Sequence, residues 1–317
     1  MHAGGEVEGL AKQGETAGSH PGAAHRAGEV VDKLVAEPLP PGLYVVATPI
    51  GNLADITLRA LSVLARAHVI YCEDTRHSRT LLAHYAISRP TRAYHEHNAE
   101  RERPRVLAEL AAGKSVAIIS DAGTPLISDP GYKLVRAAVA AGHPVVSLPG
   151  ASALLAAIVP AGLATDAFLF AGFLPPKSKA RQARLAELKA VPATLVFFEA
   201  PSRLAASLGD IAAVLGARET AVARELTKLH EEVRRGTPAE LAQWASAAAP
   251  RGEMAIVVGP PPAEAVTDAA IVARLQLLIA QMTLSDAART VAQELGVPRG
   301  RAYDLALTLQ RQRKADG

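Results

Sequence analysis

The chain has 317 residues, 49% of them apolar and only 4% aromatic, so it can bury a sizeable core filled mainly by Ala, Val and Leu. A single cysteine, Cys72, excludes an intramolecular disulfide framework and a cysteine-based zinc cluster, and a reducing, cytoplasmic setting is expected. The net charge of +3 permits nucleic acid as a partner without demanding it, and no apolar stretch is long enough to read as a membrane span.

Residues 1–41 are rich in Gly, Ala, Glu and His and end in Pro38-Leu39-Pro40-Pro41, which reads as a disordered tail. Glu6, Glu8 and Glu15 with no apolar run give no secretory leader. From Leu43 the pattern changes. Leu43 to Ala47 is a short strand ending in the loop Thr48-Pro49-Ile50-Gly51-Asn52, and Thr57 caps a helix with apolar Leu58, Leu61 and Leu64. Val69 to Cys72, Ser115 to Ser120 and Pro144 to Leu148 follow as strands, with a helix from about Tyr132 and another opening at Pro149 to Ala153. Strands alternating with helices predict an α/β domain with a largely parallel sheet over residues 42–174. Leu174-Pro175-Pro176-Lys177 reads as a linker, and 175–260 as a second α/β domain with strands at Thr194–Phe198, Thr220–Arg224 and Glu253–Val258. Residues 261–317 read as a small helical module. There Ser285 is the expected cap of one helix, Gly296 its end and Pro298 the start of the next, a helix-turn-helix-like spacing.

The chain carries neither a P-loop signature nor a G-x-G-x-x-G after the first strand, so triphosphate and dinucleotide folds are not supported. His95-Glu96-His97 has the wrong spacing for two metal ligands on one helix face and reads as a polar strand edge; no metal is expected. The strongest segment is Ser120 to Gly131, at the carboxyl end of a buried strand, where α/β sheets bind ligands. Its Gly123 and Gly131 allow close backbone approach, and Asp121, Thr124, Ser128 and Asp129 supply polar atoms. Glu73-Asp74-Thr75-Arg76 also follows a strand, and either holds a polar substrate or forms an N-cap and ion pair for the next helix. Glu199 to Arg203, and Arg224 to Lys228 with Glu231 and Glu232, read as a site or as solvated salt-bridge surface. The basic end Arg299, Arg301, Arg311, Arg313 and Lys314 suits RNA backbone contact or a solvated helix face.

Seven segments in order carry a family resemblance. They are Ala47 to Leu53, Glu73 to Arg76, Ser120 to Gly131, Pro149 to Ala153, Phe170 to Pro175, Phe198 to Arg203 and Arg224 to Lys228. Together they resemble the ribosomal RNA small subunit methyltransferase I family of the tetrapyrrole-methylase-like superfamily, over roughly residues 42–310. The resemblance implies two α/β domains of the tetrapyrrole methylase type with a cleft for S-adenosylmethionine between them, plus the C-terminal helices. It implies 2′-O-methylation of a cytidine ribose in the decoding centre of 16S rRNA on the small ribosomal subunit, and a homodimer. Matched by position, Gly123, Thr124, Pro125, Ile127, Ser152, Ala153, Glu253 and Met254 are the expected cofactor contacts.

A ribose hydroxyl is a poor nucleophile and needs a proton acceptor or a cation that favours the alkoxide. Glu225 and Lys228 are the catalytic candidates, and Glu73, Asp74, Arg76 and Arg203 the substrate-binding ones. The loop Thr48-Pro49-Ile50-Gly51 departs from the glycine-rich run of tetrapyrrole enzymes and favours RNA. A methyltransferase for a tetrapyrrole or another small molecule is the alternative, though it would need no helical appendage. A helix-turn-helix DNA-binding regulator is a further one, and it leaves the loop motifs unexplained; neither DNA nor a membrane is an expected partner.

Overall fold

The computed structural model describes residues 21–127, 131–262 and 267–315. Near-continuous apolar runs read from the sequence become the buried inner strands of a sheet of five parallel strands. These are β1 (Gly42–Val46), β2 (Val69–Cys72), β3 (Thr91–Ala93), β4 (Ser115–Ile119) and β5 (Val145–Leu148), hydrogen-bonded in the order β3-β2-β4-β1-β5. Side chains alternate along each strand. Tyr44, Val46, Ile70 and Ile119 pack on one face with Val63 and Leu64 of α2 (Leu58–Arg66) and Leu82 of α3 (Thr75–His84). Leu43, Val45, Tyr71 and Ile118 pack on the other with Val106 of α4 (Ala99–Ala111) and Leu134 of α5 (Tyr132–Ala140).

Chain order makes the space between β1 and β4 a topological switch point. The crossover from β1 leads to β2 on one side, and that from β4 leads to β5 on the other. Ligands of open α/β sheets bind outside the strand carboxyl ends at such a point. Here Thr48 and Gly123 close it with paired backbone hydrogen bonds of 2.9 and 3.0 Å.

The second sheet is mixed. It contains β6 (Phe168–Phe173), β7 (Thr194–Glu199), β8 (Thr220–Arg224), β9 (Glu232–Gly236) and β10 (Met254–Val258) in the order β6-β7-β10-β8-β9. Only β6 and β7 run parallel; the other neighbours are antiparallel. One face is covered by α7 (Ser178–Leu188), α8 (Leu204–Leu215) and α9 (Pro238–Ala248), with Phe197, Leu208 and Ile256 fully buried between. The other face takes Ala157, Ile158 and Ala161 of α6 (Ala153–Ala161), together with Ile50 from the loop after β1.

Four sequence expectations are corrected. The boundary at 174 is too late, because β6 already lies in the second sheet and α6 packs on it. The proline stretch is a pinned turn rather than a linker: Leu174 is buried, and the carbonyls of Pro175 and Pro176 accept from Arg181 at 3.4 and 3.2 Å. The tail expectation fails over Pro21–Ala36, which is a helix (α1) lying against α2. Ala27, Val31 and Leu34 form its half-buried stripe at helical spacing; residues 1–20 lie outside the described ones.

Among the described residues, one compact unit ends at Pro261 and a second begins at Pro262. The second consists of α10 (Asp268–Leu278), α11 (Leu284–Leu295) and α12 (Arg299–Ala315) around Ile271, Leu275, Val291 and Ala306. The cap of α11 is Thr283, whose hydroxyl accepts from the Asp286 N–H at 3.2 Å, and not Ser285. Ser285 faces Arg299 instead, at 3.2 Å.

Phe197 is completely buried at the centre of the second sheet. Phe197→Ala should therefore cost about 3–5 kcal/mol, read as a lowered urea midpoint with an unchanged slope.

Candidate active site

The switch point opens onto a cavity of about 390 Å³ between the two sheets, within the usual size range of small-molecule sites. The first sheet contributes its loops. Thr48 Oγ1 donates to the Ser120 carbonyl at 3.1 Å and Ser120 Oγ to the Gly123 carbonyl at 3.1 Å, so the loops after β1 and β4 are tied together. Gly123 takes φ +78°, and a Cβ there would meet Ile50 Cγ2 at 3.2 Å; a larger residue would close the wall. Thr124 Oγ1 reaches the Ala151 carbonyl at 3.4 Å, which holds the loop against the start of α6.

The second sheet contributes the ends of β7, β8 and β10. Phe173 and Phe198 stand edge to face, 5.9 Å between centroids, as an apolar wall. Glu199 is buried, yet fully engaged: Ala200 N–H donates to it at 2.9 Å, Ser207 Oγ at 2.5 Å, and Arg203 Nε lies 3.1 Å away. Beyond β8 the chain turns sharply. Glu225 and Thr227 both adopt left-handed backbone, at φ +51° and +63°. This costs of order 1–3 kcal/mol each and persists only where surroundings over-determine it. Here the Glu225 N–H donates to the Glu253 carbonyl at 3.3 Å, and the Thr227 N–H to Glu231 Oε2 at 2.7 Å. The turn brings Lys228 Nζ within 3.0 Å of Glu225 Oε1. Two glycines make room for this pair. A Cβ on Gly51 would stand 2.5 Å from Lys228 Cγ, and one on Gly252 only 1.9 Å from Glu225 Oε1.

Of the residues expected from sequence, Gly123, Thr124, Ile127, Ser152, Ala153, Glu253 and Met254 line this cavity, and so do Glu225 and Lys228. Pro125 is in the same loop but not in the wall, and Ser128 to Pro130 lie outside the described residues. The substrate-binding candidates stand elsewhere. Asp74 caps α3, accepting from the Arg76 N–H at 2.8 Å, and pairs with the exposed Arg76 guanidinium; these bonds hold its carboxyl down to about 2. Of the two readings left open for that segment, the cap and ion pair are therefore present. Arg203 donates to the Leu174 carbonyl and sits over Glu199, which pins the turn after β6. Glu73, directly after β2, is half-buried, and burial and then the nearby Asp121 anion raise its carboxyl above the ordinary carboxylate range. Sequence reasoning did not single out Ile50, Phe173, Phe198 or Glu199 as wall residues. Their signal is position, at the last residues of strands or directly after them.

Comparison with known proteins agrees with this geometry. A family model described as Tetrapyrrole (Corrin/Porphyrin) Methylases matches residues 42–242, and one described as RsmI C-terminal HTH domain matches 265–310. The fold is shared with uroporphyrin-III C-methyltransferase from Thermus thermophilus, solved in complex with S-adenosylhomocysteine. The TM-score is 0.50 at 22% identity, over 69% of this chain and 97% of that one. Two α/β lobes meeting at a switch-point cavity thus define a methyltransferase of the tetrapyrrole methylase class. A protein of Mesorhizobium japonicum named ribosomal RNA small subunit methyltransferase I is 54% identical, over 88% of this chain and 95% of its own. A protein of the same name from Pseudomonas aeruginosa is 47% identical, over 86% and 98%. The chain belongs to the ribosomal RNA small subunit methyltransferase I family.

Gly252→Ala should expel the Glu225 carboxylate and break its pair with Lys228. Expected are a stability loss of about 1–3 kcal/mol from the left-handed backbone and a larger proportional loss of methyl transfer. Gly300→Ala, within α12 where a Cβ would meet nothing, serves as the control: the rate should stay at wild type, with no loss of stability.

Proposed function

We propose that this protein methylates the 2′-hydroxyl of a cytidine in the decoding centre of 16S rRNA, on the assembled small subunit, with S-adenosylmethionine as donor. The observation that carries the reading is the cavity itself. Loops matched to the family's cofactor contacts, from both sheets, converge on one space. Its relatives' name supplies the class of RNA.

The wall fits the cofactor. Gly123 leaves a cradle that a side chain would fill, Ala122, Ile127, Leu154 and Met254 give apolar surface, and the Asp121, Glu225 and Glu253 carboxylates suit hydroxyls and a cationic ligand. Gly123, Thr124, Ile127, Ser152, Ala153, Glu253 and Met254 would hold it, with Pro125 setting the loop. S-adenosylmethionine, when bound, supplies a methyl group on a sulfonium centre that departs as a neutral thioether. The chain then has to place the ribose oxygen in line and keep water out. Lys228 is the cation that favours alkoxide character on that oxygen. Glu225, ion-paired with Lys228 at 3.0 Å, acts as the positioning partner of the lysine. Glu73, Asp74, Arg76 and Arg203 lie outside the cavity wall.

The family's C-terminal helices, matched over 265–310, would provide the RNA-facing surface through their exposed basic side chains. A homodimer is supported by apolar side chains left in solvent: Leu155 and Val159 on α6, and Phe168 on the edge strand β6. A cytoplasmic location accords with the substrate, and no helix among the described residues is long and apolar enough to cross a membrane.

Two measurements test the reading. Thr124→Arg should abolish S-adenosylmethionine binding in calorimetry with unchanged melting, because the long side chain fills the cavity; wild-type affinity would remove the site assignment. Purified protein, cofactor and unmodified 30S subunits should give one decoding-region cytidine resistant to alkaline cleavage on its 3′ side. A methyl group found on a base or on a porphyrinoid would refute the substrate.

A further inference from the structure

Phe173 lines the cavity and yet is 58% exposed. The chain has only five phenylalanines, and three of them form one edge-to-face series. Phe170 and Phe198 are 4.8 Å apart between centroids, and Phe198 and Phe173 5.9 Å. Strand geometry alone would not put Phe173 there. Side chains alternate between faces, so Leu169, Ala171 and Phe173 would share one side of the chain, and Phe170, Gly172 and Leu174 the other. Leu169 and Ala171 do pack on the face covered by α7, α8 and α9, and Phe170 on the face of α6. The register against β7 then slips. Phe170 is level with Val196, but Gly172 is level with Phe197 and Phe173 with Phe198. Gly172 takes φ +66°, a left-handed backbone open to glycine. This bulge exchanges the two sides: Leu174 is buried with Leu185 and Leu204, and Phe173 turns to the cavity beside Phe198. Bulges at sheet edges re-aim side chains next to active sites. Burying Leu174 does not by itself call for an aromatic ring on the opposite side, where a polar side chain would leave less apolar area in water.

We propose that Phe173 stacks on the base of the target nucleotide, turned out of the RNA stack so that its ribose enters the cavity lined by Lys228. The inference rests on the ribose-methylation reading above and adds to it the group that holds the base. In-line attack needs the 2′-oxygen at a fixed place in the cavity, and enzymes that act on a nucleotide inside such a pocket take it out of its stack. Unstacked bases of RNA are held on aromatic side chains. The Phe173 ring suits this task. Phe198 holds its position and is itself packed on Phe170, so the ring is oriented before RNA arrives, while more than half of its surface stays open. That openness favours the arriving nucleotide over the cofactor. Gly123 and Met254, which would hold S-adenosylmethionine, are buried in the cavity wall, whereas a nucleotide of the ribosomal subunit has to come from solvent. Stacking tolerates any base, so Phe173 holds the base without selecting cytosine.

The test is single-turnover methylation of unmodified 30S subunits at subsaturating subunit, with cofactor affinity measured by calorimetry and mass by light scattering. Phe173→Ala should lower the rate by about 5- to 150-fold, with melting, S-adenosylmethionine affinity and mass at wild-type values. Phe173→Leu keeps apolar bulk but has no aromatic face, and should be as slow as the alanine variant. Phe173→Trp keeps the face and should stay near the wild-type rate. A Phe173→Ala protein as fast as wild type overturns the inference, as does a Phe173→Leu protein that restores the rate, since apolar cover is then enough. A Phe173→Trp protein as slow as the alanine variant also overturns it. So does a Phe173→Ala protein that binds cofactor more weakly or changes its mass, because the ring then serves the cofactor or a subunit contact. If wild type makes an alkali-resistant ribose while the variants behave in those ways, the inference alone falls. If wild type makes no ribose product, the reading falls and takes the inference with it.

Discussion

The burial of Ile50 and α6 against the second sheet is the constraint on which the site depends. Ile50 belongs to the loop after β1, yet its side chain is part of the same apolar cluster as Ile158 of α6, Val196 of β7 and Val257 of β10. Burying an aliphatic side chain of this size contributes about 1.5–3 kcal/mol, and the whole of α6 adds to it. The loop that reads out the end of β1 is thereby fixed to the opposite sheet. Because Thr48 is paired to Gly123, the loop after β4 is carried with it. Two sheets of different topology then face one cavity in a fixed relation, with Lys228 resting on Gly51 across the gap.

Backbone strain is concentrated where this cavity is lined. Among the described residues five non-glycine positions have positive φ, and three of them, Leu126, Glu225 and Thr227, lie in the loops after β4 and β8. Each is over-determined by neighbours: the Glu225 N–H by Glu253, the Thr227 N–H by Glu231, and Leu126 by the close approach of Gly131. A strained turn held in this way presents a charged pair whose geometry does not have to reorganise when a ligand arrives, the property expected of a preorganised electrostatic site.

The two sheets present different charge chemistry to the same space. From the second comes a compensated pair, Glu225 with Lys228, and a buried Glu199 whose oxygens are already satisfied. From the first comes Asp121 in the wall, whose Oδ1 accepts from the Asp74 N–H, with the half-buried Glu73 outside the wall.

Much of this was legible in the chain because the interior strands are buried on both faces and read as apolar runs, from Leu43–Val46 to Met254–Val258. Their order with intervening helices specified the α/β class, and the loops at their carboxyl ends specified where a ligand would sit. The strands that went unread, β3, β6 and β9, are all at sheet edges. An edge strand is half-solvated, short or charged, as Glu232–Gly236 is, and leaves little hydrophobic period to detect. Local pattern also could not say which sheet β6 would join, because the proline turn after it resembles a linker. Nor could it say whether Asp74 and Arg203 would face a ligand or cap and pin the backbone. Those outcomes depend on partners far apart in the chain, such as Leu174 with Arg203 or Gly51 with Lys228. The sequence by itself determined the class of fold and the set of loops that meet. Tertiary packing decided which side chains in those loops are neutralised, strained or left without a partner, because charge and strain are set by neighbours that only folding brings together.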